Sequence, residues 1–172
     1  MYGRDRVGGY GVKVQLNEEH WAFMDRYAEE LVARGPTLTA DREETTGSLH
    51  IVDLADDEAA NAFAYEEPYY LAGAFDSVQL CRFDKHLGRT MWDFTGAVEG
   101  YDRYLVLAQD ESRPLTSPHL IMYGDLLGLD ATTHLGRAAL VEAPTPEAAA
   151  ELIEAPTAEV LPWQFGGRSQ DN

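Results

Sequence analysis

The chain has 172 residues, with 30 acidic against 13 basic side chains and a formal net charge of −17 at pH 7. Nucleic-acid binding depends on clusters of Lys and Arg, so this charge balance argues against a nucleic-acid partner and against an acidic membrane surface. No apolar run approaches the roughly 18 residues that span a bilayer, and no apolar segment follows the charged N-terminus to act as a signal, so we expect a cytoplasmic protein.

The start of the chain is ambiguous. Residues 1–5 look like only the end of a strand, and residues 10–16 are the alternative opening strand. A helix is then predicted from Asn17, which can cap it, to Arg34, because Gly35-Pro36 is a typical helix stop.

One residue of this predicted helix, His20, has a side chain that can act as an acid or a base. His20 belongs to a stripe with helical spacing, which must face other protein. We therefore expect the His20 imidazole to point inward. The stripe consists of His20, Met24, Tyr27 and Leu31.

The next elements are a strand, a helix and a second strand. Residues 48–54 read as a strand, and Asp56 caps the helix that follows. Residues 77–83 read as the last strand of this unit. The single Cys81 cannot form an internal disulfide and is predicted to be a buried strand residue.

Similar elements follow in the second half. A strand is predicted over residues 103–108, then a helix shortened to residues 118–123. Thr145 takes the place of Asp56 as a helix cap, with Pro146 at the first helical position. A last strand is predicted over residues 158–163.

Residues 35–60 and 124–149 align without a gap at a constant offset of 89, which indicates a duplicated fold. Chance alignment of an Ala-rich chain is the alternative, but two glycine pairs and a helix start match as well as alanines. The identities are Gly35/Gly124, Leu38/Leu127, Asp41/Asp130, Gly47/Gly136, Val52/Val141, Glu58/Glu147, Ala59/Ala148 and Ala60/Ala149.

The element order predicts an α+β protein made of two ferredoxin-like (split βαβ) repeats. Each sheet has one face covered by helices, so the two sheets are expected to pack face to face. We assign residues 1–94 to the first unit, 95–102 to a linker, 103–168 to a second, degenerate unit and 169–172 to a disordered tail.

These residues resemble the YciI-like (YCII-related) family of the dimeric α+β barrel group. The resemblance covers residues 15–85 well and 103–165 weakly. Family members usually dimerise, so a tandem copy implies a monomer that forms the pseudo-dimer by itself, with a homodimer as the alternative. The matching residues are His20, Gly35-Pro36, Gly47-Ser48, Glu58-Ala59, Glu66-Glu67-Pro68-Tyr69 and Ala72-Gly73.

The resemblance implies a His and a carboxylate that act as general acid and base on a small organic substrate without a cofactor, as in a lyase or isomerase. An imidazole titrates near neutrality, and a neighbouring carboxylate orients it. We expect His20 to be the base, with Asp41 or Glu67 as its acid partner. Ser48 and His50 share one strand face and are candidate substrate contacts, as are Tyr69 and Tyr70. The second unit lacks the corresponding motifs, so one site per chain is expected.

Each candidate also has a structural interpretation. His20 and His50 can be core residues, Asp41 can belong to a solvated turn, and Glu67 before Pro68 can end a helix. The competing function is a non-catalytic small-molecule binding or interaction protein of the same barrel group. The histidines are scattered and give no metal-binding spacing, so no metal site is predicted.

Overall fold

The computed structural model describes residues 1–167, which form nine strands, five α-helices and one short 3₁₀ helix (Met91–Asp93). The elements are β1 (Tyr2–Asp5), α1 (Gly9–Gln15), α2 (Asn17–Asp25), β2 (Leu31–Leu38), β3 (Thr45–Val52), α3 (Asp57–Tyr65), α4 (Pro68–Leu71), β4 (Phe75–Gln79), β5 (Arg82–Lys85), β6 (Asp102–Ala108), β7 (Leu120–Leu127), β8 (His134–Ala143), α5 (Pro146–Leu152) and β9 (Glu159–Pro162). None of the helices within these residues is long and apolar enough to cross a membrane.

The strands form two antiparallel sheets. The first has the order β2-β3-β1-β4, and the second has the order β5-β7-β8-β6-β9. Apart from the added edge strand β5, the second sheet repeats the order of the first, with β6, β7, β8 and β9 in the places of β1, β2, β3 and β4. This is the strand order of the split βαβ pattern, and it confirms the predicted α+β class.

The β2–β3 and β7–β8 hairpins agree in register as well as in order. Gly35 lies opposite Leu49, and Gly124 lies opposite Ala138. Every other pair in the first hairpin likewise recurs 89 residues later in the second. The two irregularities recur too, one between the first two pairs and one between the last two.

The main core lies between the two sheets, as the sequence predicted. The first sheet contributes Val32 and Leu49 to it, and the second contributes Leu105 and Met122. Two further cores bury the outer faces of the sheets. One joins α2 and α3 to β2, and the other joins α5 to the second sheet.

Two connections link the sheets at their edges. The chain crosses from β4 in the first sheet to β5 in the second after only two residues. At another edge, residues 163–167, which we call the C-terminal strap, run beside β2. Trp163 forms a β-bridge with Thr37, and the Gly166 amide donates to the Arg34 carbonyl at 3.0 Å.

The C-terminal strap explains why the Gly35-Pro36 pair, which was predicted to be a helix stop, lies inside a strand. The predicted helix over residues 17–34 is wrong, because α2 ends at Asp25 and the pair lies inside β2. Both faces of β2 are largely buried, so its nearly continuous apolar sequence also fits a helical stripe. A Cβ atom on Gly35 would lie 1.9 Å from the Gln164 carbonyl oxygen, so the strap needs a glycine there.

Other predicted elements also needed correction. Residues 10–16 lie mostly in α1, and Tyr2–Asp5 is the opening strand. Residues 77–83 are divided between β4 and β5, with a partly exposed Cys81 between them, so the predicted buried strand position of Cys81 is wrong. Most of the predicted helix over residues 118–123 is the start of β7.

The predicted caps of α3 and α5 are correct. The Asp56 carboxylate accepts a hydrogen bond from the Ala59 amide at 2.8 Å, and the Thr145 hydroxyl accepts one from the Ala148 amide at 3.2 Å. The division of the chain at residues 95–102 stays a prediction, and β5 belongs to the second sheet although it precedes that linker. The predicted tail, residues 169–172, lies outside the described residues.

Candidate functional site

The candidate site is centred on a buried pair formed by His20 and Glu67. His20 Nδ1 lies 2.5 Å from Glu67 Oε1, and the Glu67 side chain is fully buried. His20 comes from α2, and Glu67 comes from the turn that precedes α4. The structure therefore pairs His20 with Glu67, one of the two acids that the sequence offered.

Glu67 is held in place by the start of α4. It is the N-cap residue of this short helix, and its Oε2 accepts a hydrogen bond from the Tyr70 amide at 2.9 Å. Pro68 occupies the first helical position, where a missing N–H group costs nothing. Each carboxylate oxygen thus has its own partner, and Oε1 is directed at His20.

Tyr69 fixes the plane of the His20 ring. The two rings are stacked with their centroids 4.1 Å apart and an interplanar angle of 7°. The Tyr69 hydroxyl donates a hydrogen bond to Asn17 Oδ1 at 3.1 Å. Burial and the nearby Glu67 carboxylate raise the pKa of Tyr69, so its hydroxyl stays protonated at neutral pH. Asn17 therefore supports the site, and its predicted role as the cap of α2 is wrong, because Leu16 is the N-cap residue and Asn17 is the first helical residue.

A cavity of about 340 Å³ opens beside the His20 ring, and we call it the dyad cavity. Its walls come from α1, α2, β2, β3, α4 and the C-terminal strap. The volume lies in the range of small-molecule sites. Side chains at its walls include Lys13, Trp21, Ser48, His50, Tyr69 and Phe165.

The dyad cavity is basic although the chain is strongly acidic. Lys13 and Arg34 line it, and no Asp or Glu is found among its lining residues in the described part of the chain. The Lys13 ammonium lies 2.8 Å from Asp5 Oδ1 and donates to Thr45 Oγ1 at 3.4 Å. Burial lowers the pKa of Lys13, while Asp5 opposes that shift.

His50 lies behind His20, with the ring centroids 5.5 Å apart. Its side chain is 3% exposed, and its Nδ1 has no hydrogen-bond partner among the described residues. Burial, followed by the nearby His20 and other cationic groups, holds the pKa of His50 well below its usual range. His50 is therefore neutral at pH 7 and provides a polar wall without a charge.

The remaining predicted site residues fall in two groups. Ser48 lines the dyad cavity together with His50 and Tyr69. Asp41 lies in the β2–β3 turn, where it accepts hydrogen bonds from Thr39 and Glu43, and the carboxylate beside His20 is that of Glu67. Tyr70 is 39% exposed, its ring packs on the Tyr65 ring, and it is not among the described residues that line the dyad cavity.

Sequence reasoning missed Lys13, Asn17 and Trp21 as parts of the site. Lys13 was assigned to a possible strand, and in α1 the same residue is brought under the Tyr69 ring, 5.5 Å from its centroid. A signal was available for Trp21 alone, because it follows His20 directly in the sequence. Side-chain contacts between separate elements give no local pattern.

In the second half, the counterpart of Ser48 is Arg137, which stands 89 residues later and fills the corresponding place. The Arg137 side chain is fully buried and donates to Asp110 Oδ1, to the Tyr123 hydroxyl, both at 3.0 Å, and to the Ile153 carbonyl at 2.9 Å. Within residues 1–167 no group of three or more His, Cys, Asp or Glu side chains is arranged to hold a metal ion.

Comparisons with known proteins give two similarities. Residues 2–84 match the model of the YCII-related domain. Among solved structures, the chain is similar to 5-chloro-2-hydroxyhydroquinone dehydrochlorinase from Burkholderia phenoliruptrix AC1100, determined in complex with 2,5-dihydroxybenzoquinone. The identity is 28%, the match covers 44% of this chain and 82% of that one, and the TM-score is 0.42. No curated protein matches the chain.

Proposed function

We propose, on the premise that residues 2–84 match the model of the YCII-related domain, that the protein catalyses proton transfer on a small organic molecule, as a lyase or isomerase without a cofactor. His20 is the acid/base group, and Glu67 is its partner. The proposal rests on the 2.5 Å contact between His20 Nδ1 and the buried Glu67 carboxylate, at the wall of the dyad cavity.

The contact supports Nε2 as the nitrogen of His20 that reacts. A carboxylate accepts hydrogen bonds, so Glu67 favours the tautomer in which Nδ1 carries the proton. Nε2 is then left with a lone pair and can remove a proton from a ligand in the dyad cavity. The Glu67 charge balances the imidazolium that forms, and the same nitrogen can return the proton to another atom of the ligand.

The alternative function is binding without catalysis. A His20 bonded only to backbone would favour that alternative, because the ring would lack an acid to orient it. A carboxylate within hydrogen-bond distance, beside a cavity with room for a ligand, instead supports the enzyme. The Tyr69 stack supports it further, because it keeps the ring in one orientation.

We also infer that the second half is a degenerate copy that acts as a scaffold, so that one chain forms the pseudo-dimer with a single site. The identical register of the two hairpins supports the copy. Arg137 supports the single site, because it fills the place that corresponds to Ser48.

A substrate-independent probe tests the proposal. 5-Nitrobenzisoxazole is a small planar molecule that reacts when a base removes its ring C–H proton. The electron pair of that bond forms a nitrile, the N–O bond breaks, and a coloured phenolate is released. We expect a saturable rate above that of buffer, because the dyad cavity holds the probe against Nε2. His20→Ala should reduce this rate by about 10²- to 10⁴-fold, the usual contribution of general base catalysis.

His86→Ala is the matched control, because His86 lies outside the dyad cavity and is one-third exposed. Its rate should equal that of the wild type. Saturable binding of the probe without a rate that depends on His20 would contradict catalysis and favour the binding protein.

A further inference from the structure

The Ser48 hydroxyl is an open hydrogen-bonding group in the wall of the dyad cavity. Ser48 is only 6% exposed, and it lines this cavity. Its hydroxyl has no hydrogen-bond partner among residues 1–167. A hydroxyl can donate one hydrogen bond, and a buried polar group without a partner costs free energy. An oxygen atom of a ligand in the dyad cavity can therefore supply the missing partner.

The neighbouring strands explain why no protein group bonds this hydroxyl. Ser48 lies opposite Gly3 on β1 and opposite Pro36 on β2. Opposite residues share one face of a sheet, and neither glycine nor proline has a polar side-chain atom. A Cβ atom on Gly3 would lie 2.8 Å from the Phe75 ring, so an aromatic ring covers that position. The counterpart Arg137 is instead bonded to protein groups, so the open hydroxyl belongs to the first half alone.

Ser48 also lies close to the dyad. His50 follows it by two residues on β3, so the two side chains share one face and are about 7 Å apart along the strand. The His50 ring centroid is 5.5 Å from that of His20. Ser48, His50 and His20 all line the dyad cavity. A small molecule that reaches the Ser48 hydroxyl can therefore lie beside the His20 ring.

The charge at the cavity wall favours negative charge on a bound molecule. Lys13 lines the dyad cavity, and its side chain is 5% exposed. Its ion-pair partner Asp5 is not among the described residues that line the cavity. A fixed positive charge in a site that excludes water stabilises negative charge that develops during a reaction. Removal of a C–H proton from a neutral molecule creates such a charge.

We propose that Ser48 is a catalytic residue and that the substrate is a neutral carbonyl compound with a C–H group next to the carbonyl. His20 Nε2 removes that proton, the C–H electron pair forms a carbon–carbon double bond, and the carbonyl π pair moves to the oxygen. The Ser48 hydroxyl donates a hydrogen bond to this enolate oxygen, and His20 then returns the proton to carbon. The inference rests on the proposed function, because it names the substrate class of the same site.

Deuterium exchange of 2-indanone tests the catalytic role. This small planar ketone has acidic CH₂ groups between the carbonyl and the aromatic ring, and proton NMR follows their exchange in D₂O. We expect a saturable rate above that of buffer. Ser48→Ala should lower the protein-catalysed rate by about 10²- to 10³-fold, the usual loss for one donor to an oxyanion. Ser48→Thr keeps the hydroxyl and should recover most of the rate.

Binding of an enol analogue gives a readout that does not require turnover. 2-Naphthol presents a hydroxyl on a planar ring, and naphthalene lacks it. The indole N–H signal of Trp21 reports binding by NMR, because Trp21 lines the dyad cavity. 2-Naphthol should bind the wild type about tenfold more tightly than naphthalene, as expected for one hydrogen bond. Ser48→Ala should remove this difference.

Ser77→Ala is the matched control. Ser77 is exposed on β4 and is not among the described residues that line the dyad cavity. The control should change neither the exchange rate of 2-indanone nor the ratio of the two affinities.

The outcomes separate this inference from the proposed function. Turnover of 5-nitrobenzisoxazole without exchange of 2-indanone would overturn the inference and keep the proton transfer, because 5-nitrobenzisoxazole has no carbonyl group. Exchange at the full rate in Ser48→Ala would remove Ser48 from the reaction. Absence of both reactions in the wild type, with binding of 2-naphthol that depends on Ser48, would overturn the proposed function itself and leave Ser48 as a binding group only.

Discussion

The role of Glu67 at the level of single atoms leads to a prediction about an isosteric substitution. In Glu67→Gln, the amide oxygen should keep the hydrogen bond from the Tyr70 amide, because that backbone donor needs an acceptor. The Gln NH₂ group then faces His20 Nδ1 and forces that nitrogen to accept. The proton moves to Nε2, so the base is lost, and we expect probe turnover to fall about 10²- to 10⁴-fold.

Nitrogen-15 NMR of the imidazole measures this change directly, because it distinguishes the two tautomers. Glu66→Gln makes the same chemical change on the exposed neighbouring residue and should alter neither the tautomer nor the turnover. Full activity in Glu67→Gln would contradict the assigned role of Glu67.

Burial of His50 should make folding stability depend on pH. The usual pKa of histidine is 6.5, and in the folded protein the pKa of His50 lies well below it, mainly because of burial. As the pH falls below about 6.5, the unfolded chain therefore binds a proton at this residue before the folded chain does. The free energy of unfolding must then decrease as the pH falls, by at most about 1.4 kcal/mol per pH unit.

His50→Gln removes this titrating group and keeps a polar side chain. Urea denaturation at several pH values between 5 and 7 should show a smaller loss of stability in the variant than in the wild type. If the free energy of unfolding changed equally with pH in the two proteins, His50 would have the same pKa in the folded and unfolded chains.

The candidate site was partly predictable at the residue scale. His20 and Glu67 were both identified through the resemblance to the YCII-related family, and the helical spacing of His20 and Met24 indicated in addition that His20 points inward. Choosing Glu67 over Asp41 required the three-dimensional structure, since both acids are far from His20 in sequence. Lys13 escaped prediction for the same reason, because its role comes from contacts with Asp5 and Tyr69 on other elements.

The helix caps give a matched prediction for two elements. Asp56 and Thr145 hold the same position on α3 and α5, and each side chain accepts one amide hydrogen bond. Asp56→Ala and Thr145→Ala should each lower the free energy of unfolding by about 1 kcal/mol. Urea denaturation measures both, with the exposed Thr157→Ala as a control that should change little. An unchanged midpoint in both cap variants would show that the helix starts do not limit stability.

Elements with their own local signals were predicted well. The caps, β6 and most of β3 follow from short sequence patterns. The errors concern places where a distant segment decides the structure. Gly35-Pro36 belongs to a strand because the C-terminal strap packs there, and residues 77–83 split because β5 pairs with β7. No pattern within either segment encodes its distant neighbour.

The whole molecule is expected to be a monomer in solution. β2 is bordered by the strap, the link from β4 to β5 joins the two sheets, and the apolar faces of both sheets are buried within one chain. Light scattering after size exclusion should give the mass of one chain at every protein concentration tested. The melting temperature should likewise be independent of concentration, because no association accompanies folding. A mass of two chains, or a melting temperature that rises with concentration, would indicate a homodimer.

The pair Leu49 and Ala138 shows what a single chain permits that an assembly of identical subunits does not. In a symmetric dimer one codon sets both positions, so any substitution near the two-fold axis appears twice. In this chain, a substitution in one sheet leaves the other sheet unchanged. Ser48 can line the dyad cavity while Arg137 fills the corresponding place in the other half. In the same way, Leu49 and Ala138 can differ although they hold matching positions in the two hairpins. Selection can therefore change one half of the barrel without introducing the same substitution in the other half.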